Sequence, residues 1–155
     1  MLQSKLFGHT LKEAPREAES PSHRYLTRGA YINQLGSGIY SLLPLGHRVY
    51  KNIEKIIREE INAIGGQELL MPSLQPATLW KETGRWETCC EIMYQFQDTR
   101  KKDLGLGFTH EEIILDLVRK SLTSYADLPI KLYQFSTKFR NEIIATGGVL
   151  RGREF

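Results

Sequence analysis

Residues 47–72 read HRVYKNIEKIIREEINAIGGQELLMP, and the fold reading turns on them. Val49, Ile53, Ile56, Ile57 and Ile64 recur at helical spacings, with Lys51, Glu54, Lys55, Arg58 and Glu59 between them, which predicts an amphipathic helix from His47 to Ile64. Gly65-Gly66 supplies the left-handed residue that closes a helix C-terminus. Gln67 to Met71 then reads as a strand, ended by Pro72 because proline has no N–H to give a sheet ladder. The order is helix, glycine stop, strand, proline.

Outward from that stretch the pattern continues in short elements. Upstream, Gly36-Ser37-Gly38 and Pro44-Leu45-Gly46 punctuate an apolar patch from Ile39 to Leu45. The first thirty residues are polar, mixed in charge and interrupted by Pro15 and Pro21, which predicts an extended arm. Downstream, a short helix is expected from Pro76 to Gly84, carrying Leu79 and Trp80. Ile92, Tyr94 and Phe96 alternate with Met93, Gln95 and Gln97, and a polar turn from Asp98 to Asp103 leads to a second strand, Leu104 to Phe108. Ile113, Ile114, Leu117, Val118 and Leu122 form the apolar side of a second helix that ends near Asp127-Leu128-Pro129. With no internal repeat, this is an α+β domain with an antiparallel sheet flanked by helices.

Two places carry chemistry. A strand from Ile130 to Glu142 would put Tyr133, Phe135, Thr137 and Phe139 inward, and Gln134, Ser136, Lys138, Arg140 and Glu142 on the other face. A returning strand would set Arg151, Arg153 and Phe155 on a common side, offering guanidinium groups to phosphates and an aromatic plane to a purine. The competing account is a solvated sheet face with cross-strand Arg–Glu pairs. Thr109-His110-Glu111 opens the second helix, and Thr109 with Glu112 has the spacing of a capping box, worth about 1 kcal/mol. Capping leaves Glu111 unexplained, although a first-turn carboxylate also suits the helix dipole.

Composition bounds the alternatives. The 155 residues are 41% apolar and 25% charged, enough for one ordinary core. A net charge of +3 allows an anionic partner without demanding one. Cys89 and Cys90 are adjacent, which suits neither a zinc ribbon nor a disulfide and fits a reducing, cytoplasmic setting. No apolar run reaches membrane-spanning length, and the N-terminus lacks the apolar core of a secretory signal. His110-Glu111-Glu112 is not a zinc-protease helix, since the second histidine would fall at Ile114. No protein metal site is expected. Gly36-Ser37-Gly38 and Gly105-Leu106-Gly107 lack a third glycine at dinucleotide spacing, and no Walker-type lysine loop occurs.

Taken in order, these segments resemble the class II aminoacyl-tRNA synthetases, and within them the bacterial-type prolyl enzymes. Residues 47–72 look like the family's motif 1, and Phe139-Arg140-Asn141-Glu142 through Leu150-Arg151-Gly152-Arg153-Glu154-Phe155, about residues 135–155, look like motif 2. The likeness extends to Leu6-Phe7-Gly8, Gln34-Leu35-Gly36-Ser37-Gly38-Ile39-Tyr40, Leu79-Trp80 and Gly84-Arg85-Trp86. It implies a catalytic domain, incomplete here, that activates L-proline with ATP and Mg²⁺ and passes it to tRNA(Pro), working as a homodimer through motif 1. By motif position, Thr109 and Glu111 would bind the proline imino group and Arg140 its carboxylate together with the α-phosphate of ATP. Glu142 would read the adenine amino group, Phe155 would stack under the ring, and Arg151 and Arg153 would face the nucleotide. Phe108 stands where relatives usually have proline, and Ile143-Ile144-Ala145-Thr146 replaces a loop ordinarily rich in arginine. Motif 3, the editing insert and the anticodon-binding domain are expected to be absent. The rival readings are a seryl-tRNA synthetase-like enzyme, which also uses a Thr-x-Glu element, and a truncated paralogue that serves as a dimerising or tRNA-binding module. An isolated piece of this kind is expected to associate, because half a sheet leaves an open edge.

Overall fold

The structure, a computed structural model, describes residues 2–16, 18, 20–142 and 148–155. The chain divides into two compact units, residues 1–60 with 142–155, and residues 61–141.

In the first unit, helix α1 (Pro21–Arg28) forms where an extended arm was expected. Ser20 caps it, its Oγ accepting from the His23 N–H at 3.2 Å, and Pro21 occupies the first turn, where its missing N–H costs nothing. Strands β1 (Ile32–Gly36) and β2 (Ile39–Leu42) form an antiparallel hairpin. Helix α2 (Pro44–Ala63) begins beneath it. Gly46 is required there, since a Cβ would lie 2.1 Å from the Tyr31 carbonyl oxygen. The helix stops as read: Gly65 has φ +81°, and the Gly65 and Gly66 N–H groups return to the Asn62 and Ile61 carbonyls at 2.9 and 3.0 Å.

The apolar stripe of α2 does not form a core. Val49, Ile53, Ile56 and Ile57 are all exposed, whereas Glu54 is the buried side chain, held by Lys51 at 2.6 Å and Arg58 at 2.7 Å.

The second unit carries β3 (Gln67–Leu69), β4 (Leu74–Pro76), α3 (Ala77–Glu82), α4 (Arg85–Thr88), β5 (Tyr94–Gln97), β6 (Asp103–Leu106), α5 (Glu111–Ser121) and β7 (Leu132–Gln134). The β5–β6 hairpin appears as expected, and β4 adds on its other side to give an antiparallel sheet of order β4-β6-β5. The architecture is α+β with antiparallel sheets and helices; one pairing, β3 with β7, is parallel. Trp80, Met93 and Phe108 form the core, with Trp86, Cys89 and Ile92 against them. Gly105 permits this packing, because a Cβ there would meet the Met93 methyl at 2.3 Å.

Three further expectations need correction. The strand proposed for 130–142 is only three residues long, because β3 offers it only three partners. Beyond Gln134 the backbone is held by single bonds, Phe139 N–H to the Gly107 carbonyl at 3.1 Å and Asn141 N–H to that of Ile92 at 2.8 Å. The returning strand is instead a 3₁₀ turn, Gly148–Arg151, followed by irregular backbone in which the Arg153 N–H bonds the Gly38 carbonyl at 2.7 Å. Helix α5 ends at Ser121, short of Asp127. The Ile143 to Thr146 segment lies outside the described residues.

Candidate functional site

The N-terminus of α5 is built from long-range contacts rather than a local cap. Its N-cap is His110, with no side-chain bond, so the Thr109–Glu112 capping box does not form. The Thr109 hydroxyl donates to the Glu111 carboxylate instead, and Glu112 is drawn away by Arg85, whose Nη1 lies 2.5 Å from Glu112 Oε1. Gln75 of β4, fully buried, fixes the backbone just before the helix: its Nε2 donates to the Thr109 carbonyl at 3.2 Å and its Oε1 accepts from Trp80 Nε1 at 2.8 Å. Gly107 makes room for that amide, since a Cβ would fall 2.1 Å from Gln75 Nε2.

Thr109, His110 and Glu111 line one wall of a cleft of about 340 Å³, with Ile114 and Met71. Leu132, Tyr133, Gln134 and Lys138 complete it. The volume suits a small ligand. The Thr109 hydroxyl, first among several causes, holds the Glu111 carboxyl below its usual range, and Arg85 adds to that effect. Glu111 is therefore an anion beside a hydroxyl, an arrangement that accepts hydrogen bonds from an ammonium group.

The sequence reading missed three residues of this cleft. Burial, reinforced by nearby Lys138, pushes the His110 imidazole below its ordinary value; the ring is buried, and the Pro72 carbonyl favours its protonated form without aligning for a good bond. Gln134 brings a buried carbonyl oxygen, Oε1, that has no hydrogen-bond partner. Lys138 brings an ammonium group bonded to the Ser136 carbonyl at 3.4 Å and to the Ser136 hydroxyl. Burial lowers the Lys138 pKa, neighbouring Arg140 lowers it further, and Glu111 opposes both. Lys138 was legible only as one of several polar residues on a supposed strand face.

Of the residues singled out beforehand, the second unit brings Thr109 and Glu111 together. Arg140, half-buried and close enough to Lys138 to repel its charge, is not part of the cleft wall. Glu142, Arg151, Arg153 and Phe155 belong to the first unit. There Arg151 Nη2 pairs with Glu142 Oε2 at 3.3 Å and Arg153 Nε donates to the Glu142 carbonyl at 3.1 Å, while Phe155 is exposed. Among the described residues no group of three His, Cys, Asp or Glu side chains is arranged to hold a metal, and no helix is long and apolar enough to cross a membrane.

Comparison with known proteins gives these groups a context. The family model of the tRNA synthetase class II core domain (G, H, P, S and T) matches residues 94–155. The proline–tRNA ligase of Thermotoga maritima is 51% identical over 155 residues, and that of Moorella thermoacetica 52%. Each alignment covers the whole chain but 27% of the relative, so the chain spans about a quarter of the length of the relatives it matches. Among solved structures, the prolyl-tRNA synthetase of Cryptosporidium parvum, complexed with halofuginone and AMPPNP, matches in fold with a TM-score of 0.75 at 20% identity, over 92% of this chain and 30% of that one. The RNA binding domain of threonyl-tRNA synthetase from Cryptosporidium parvum Iowa II matches with a TM-score of 0.72 at 29% identity, over 79% and 30%. The chain is thus similar over its whole length to proline–tRNA ligases, matches the class II tRNA synthetase core domain over residues 94–155, and shares the fold of the class II enzymes.

Proposed function

We propose that the chain is the N-terminal part of a proline–tRNA ligase catalytic domain, with motif 1 at about 47–72 and motif 2 at about 135–155. It would activate L-proline with ATP to prolyl-adenylate and serve transfer of the prolyl group to tRNA(Pro) in the cytoplasm. The observation that carries this reading is the pairing of Thr109 with Glu111 at the mouth of a cleft sized for a small ligand, in a chain half identical to proline–tRNA ligases.

In this reading the secondary ammonium of proline donates to the Glu111 carboxylate and the Thr109 hydroxyl oxygen, which their mutual hydrogen bond holds side by side, while buried His110 adds no competing cation when neutral. Arg140 orients the substrate carboxylate toward the α-phosphate. A carboxylate oxygen attacks the α-phosphorus, the bond to the pyrophosphate oxygen breaks, and no general base is needed because the nucleophile is already ionised. Arg140 spreads the charge that develops on the α-phosphoryl oxygens. Glu142, Arg151, Arg153 and Phe155 hold the nucleotide, with Phe155 stacked on adenine. Glu142 would have to share its carboxylate between Arg151 and the adenine amino group, which two oxygens allow. Mg²⁺ would arrive with ATP and neutralise phosphate charge. The exposed apolar stripe of α2 would be covered by the same stripe of a second copy.

ATP–pyrophosphate exchange, run on the full-length protein against each amino acid, tests the reading. Exchange stimulated by proline alone supports it. Exchange with serine would favour a seryl-type enzyme, and silence with every amino acid would favour a binding module.

A further inference from the structure

Resting on the proline-binding reading of the Thr109–Glu111 cleft, we propose that Lys138 is a further ligand-binding residue of this site, its ammonium group taking the anionic end of the ligand whose ammonium end Glu111 holds. The chemistry recognised is a carboxylate or a phosphoryl oxygen at short range from a secondary or primary amine.

Several independent features point to Lys138. It lines the same cleft as Thr109 and Glu111, but it comes from the segment that follows β7, not from α5, so the two charges enter from different elements. Its partners are the carbonyl and hydroxyl of Ser136, both neutral, and no described carboxylate forms an ion pair with it. Arg140 adds a second positive charge nearby. Arg140 repels this partly desolvated ammonium and Glu111 attracts it through space, but the groups that bond it directly are neutral. An anion bound at Nζ would offset both the repulsion and the lost hydration. Gln134 Oε1, buried, unpartnered and in the same wall, adds a neutral acceptor that could take a ligand N–H. The cleft thus holds acceptors, a carboxylate and an ammonium whose direct partners are neutral, the set that a zwitterionic amino acid complements and that a purely apolar or purely cationic ligand does not.

Lys138 lies two residues before Arg140, so the two cations can divide the anions of the reaction between them. The ligand oxygen at Lys138 has two possible sources, the proline carboxylate and the α-phosphate of ATP, which the test separates.

The test measures binding of L-proline, of L-prolinol, which keeps the ring nitrogen but has no carboxylate, and of ATP to the full-length protein and to Lys138→Met, Lys138→Gln and Lys138→Arg. Loss of one charge-assisted hydrogen bond should weaken proline by roughly 10- to 100-fold in Lys138→Met, with prolinol changed by less than about twofold. Lys138→Arg should recover most of the loss, and thermal melting identifies any variant that fails to fold, in which case Lys138→Gln stands in. Weakening confined to ATP would assign the residue to the α-phosphate and still support an anion point. Unchanged affinity for both proline and ATP would overturn the inference, as would equal weakening of proline and prolinol, since the cleft as a whole would then have been disturbed. Glu111→Gln separates the two layers: if it leaves proline binding intact, the proline-binding reading falls and the inference with it, whereas loss in Glu111→Gln without any effect at Lys138 rejects Lys138 alone.

Discussion

Arg85 Nη1 lies 2.5 Å from Glu112 Oε1, and the same guanidinium packs over the rings of Trp80 and Phe108, 5.2 and 5.4 Å from their centroids. The Glu112 side chain is 3% exposed and its second oxygen has no hydrogen-bond partner, so almost all of its compensation comes from Arg85. The pair ties the first turn of α5 to α4 and the core, next to Glu111.

Removing the cation alone leaves a carboxylate buried and unpaired. Arg85→Met should therefore destabilise the protein by roughly 3 kcal/mol, whereas Arg85→Met combined with Glu112→Leu should recover most of that loss, because replacing both members of a buried pair avoids the stranded charge. Urea denaturation of the two variants measures this. A double variant no more stable than the single one would show that the pair is not what holds the turn.

Thr109 gives a pH signature. Glu111 is held below its usual range chiefly by the Thr109 hydroxyl, so its ionised form is fully present above the ordinary carboxyl pKa and is lost only as pH falls through the lower folded value. Proline binding should thus persist below about pH 4.3, the ordinary glutamate value, as far as the fold survives. Thr109→Val should move the acid limb of binding upward. The charged groups near Glu111 are Arg85 from α4, which acts in the same direction as Thr109, and Lys138 from the segment after β7, whose charged form Glu111 favours. An acid limb that does not move in Thr109→Val would rule out the hydroxyl as its cause.

His110 has the opposite kind of burial. Its ring is more easily protonated in the unfolded chain than in the fold, so the stability it contributes is complete above about pH 6.5 and is lost as pH falls through the lower folded value. The urea midpoint should drop between pH 7.5 and 5.5, and His110→Gln should flatten that drop. Equal slopes in the two proteins would exclude His110 as the source.

How far the sequence could be read depended on the range of the interactions. Helix α2, its glycine stop and the β5–β6 hairpin follow from periodicity and turn chemistry within a few residues, and they lie where periodicity put them. Lys138 and Arg140 were assigned a common strand face by period two, but the strand ends at Gln134, and the bonds that then shape the chain run to Gly107 and Ile92, more than thirty residues away. The capping box was a sound local pattern that lost to a distant partner: Arg85, 27 residues before Glu112, takes the carboxylate the cap would have used. Gln75, which anchors Thr109, carried no signal at all, because an amide in a three-residue strand looks like any polar position.

The stripe Val49, Ile53, Ile56 and Ile57 was read correctly as the apolar side of a helix, yet Ile53 and Ile56 are 53% and 60% exposed. The stripe is left open beside a buried and doubly ion-paired Glu54, and in the proposed homodimer it is the face that a second copy would cover. Replacing both isoleucines, Ile53→Glu and Ile56→Glu, places two charges in that contact without touching a buried side chain. Light scattering should show the unmodified protein associating and the variant at least about tenfold weaker in self-association, with helix content unchanged by circular dichroism. A protein that is monomeric before the substitution would reject this face as a self-association surface.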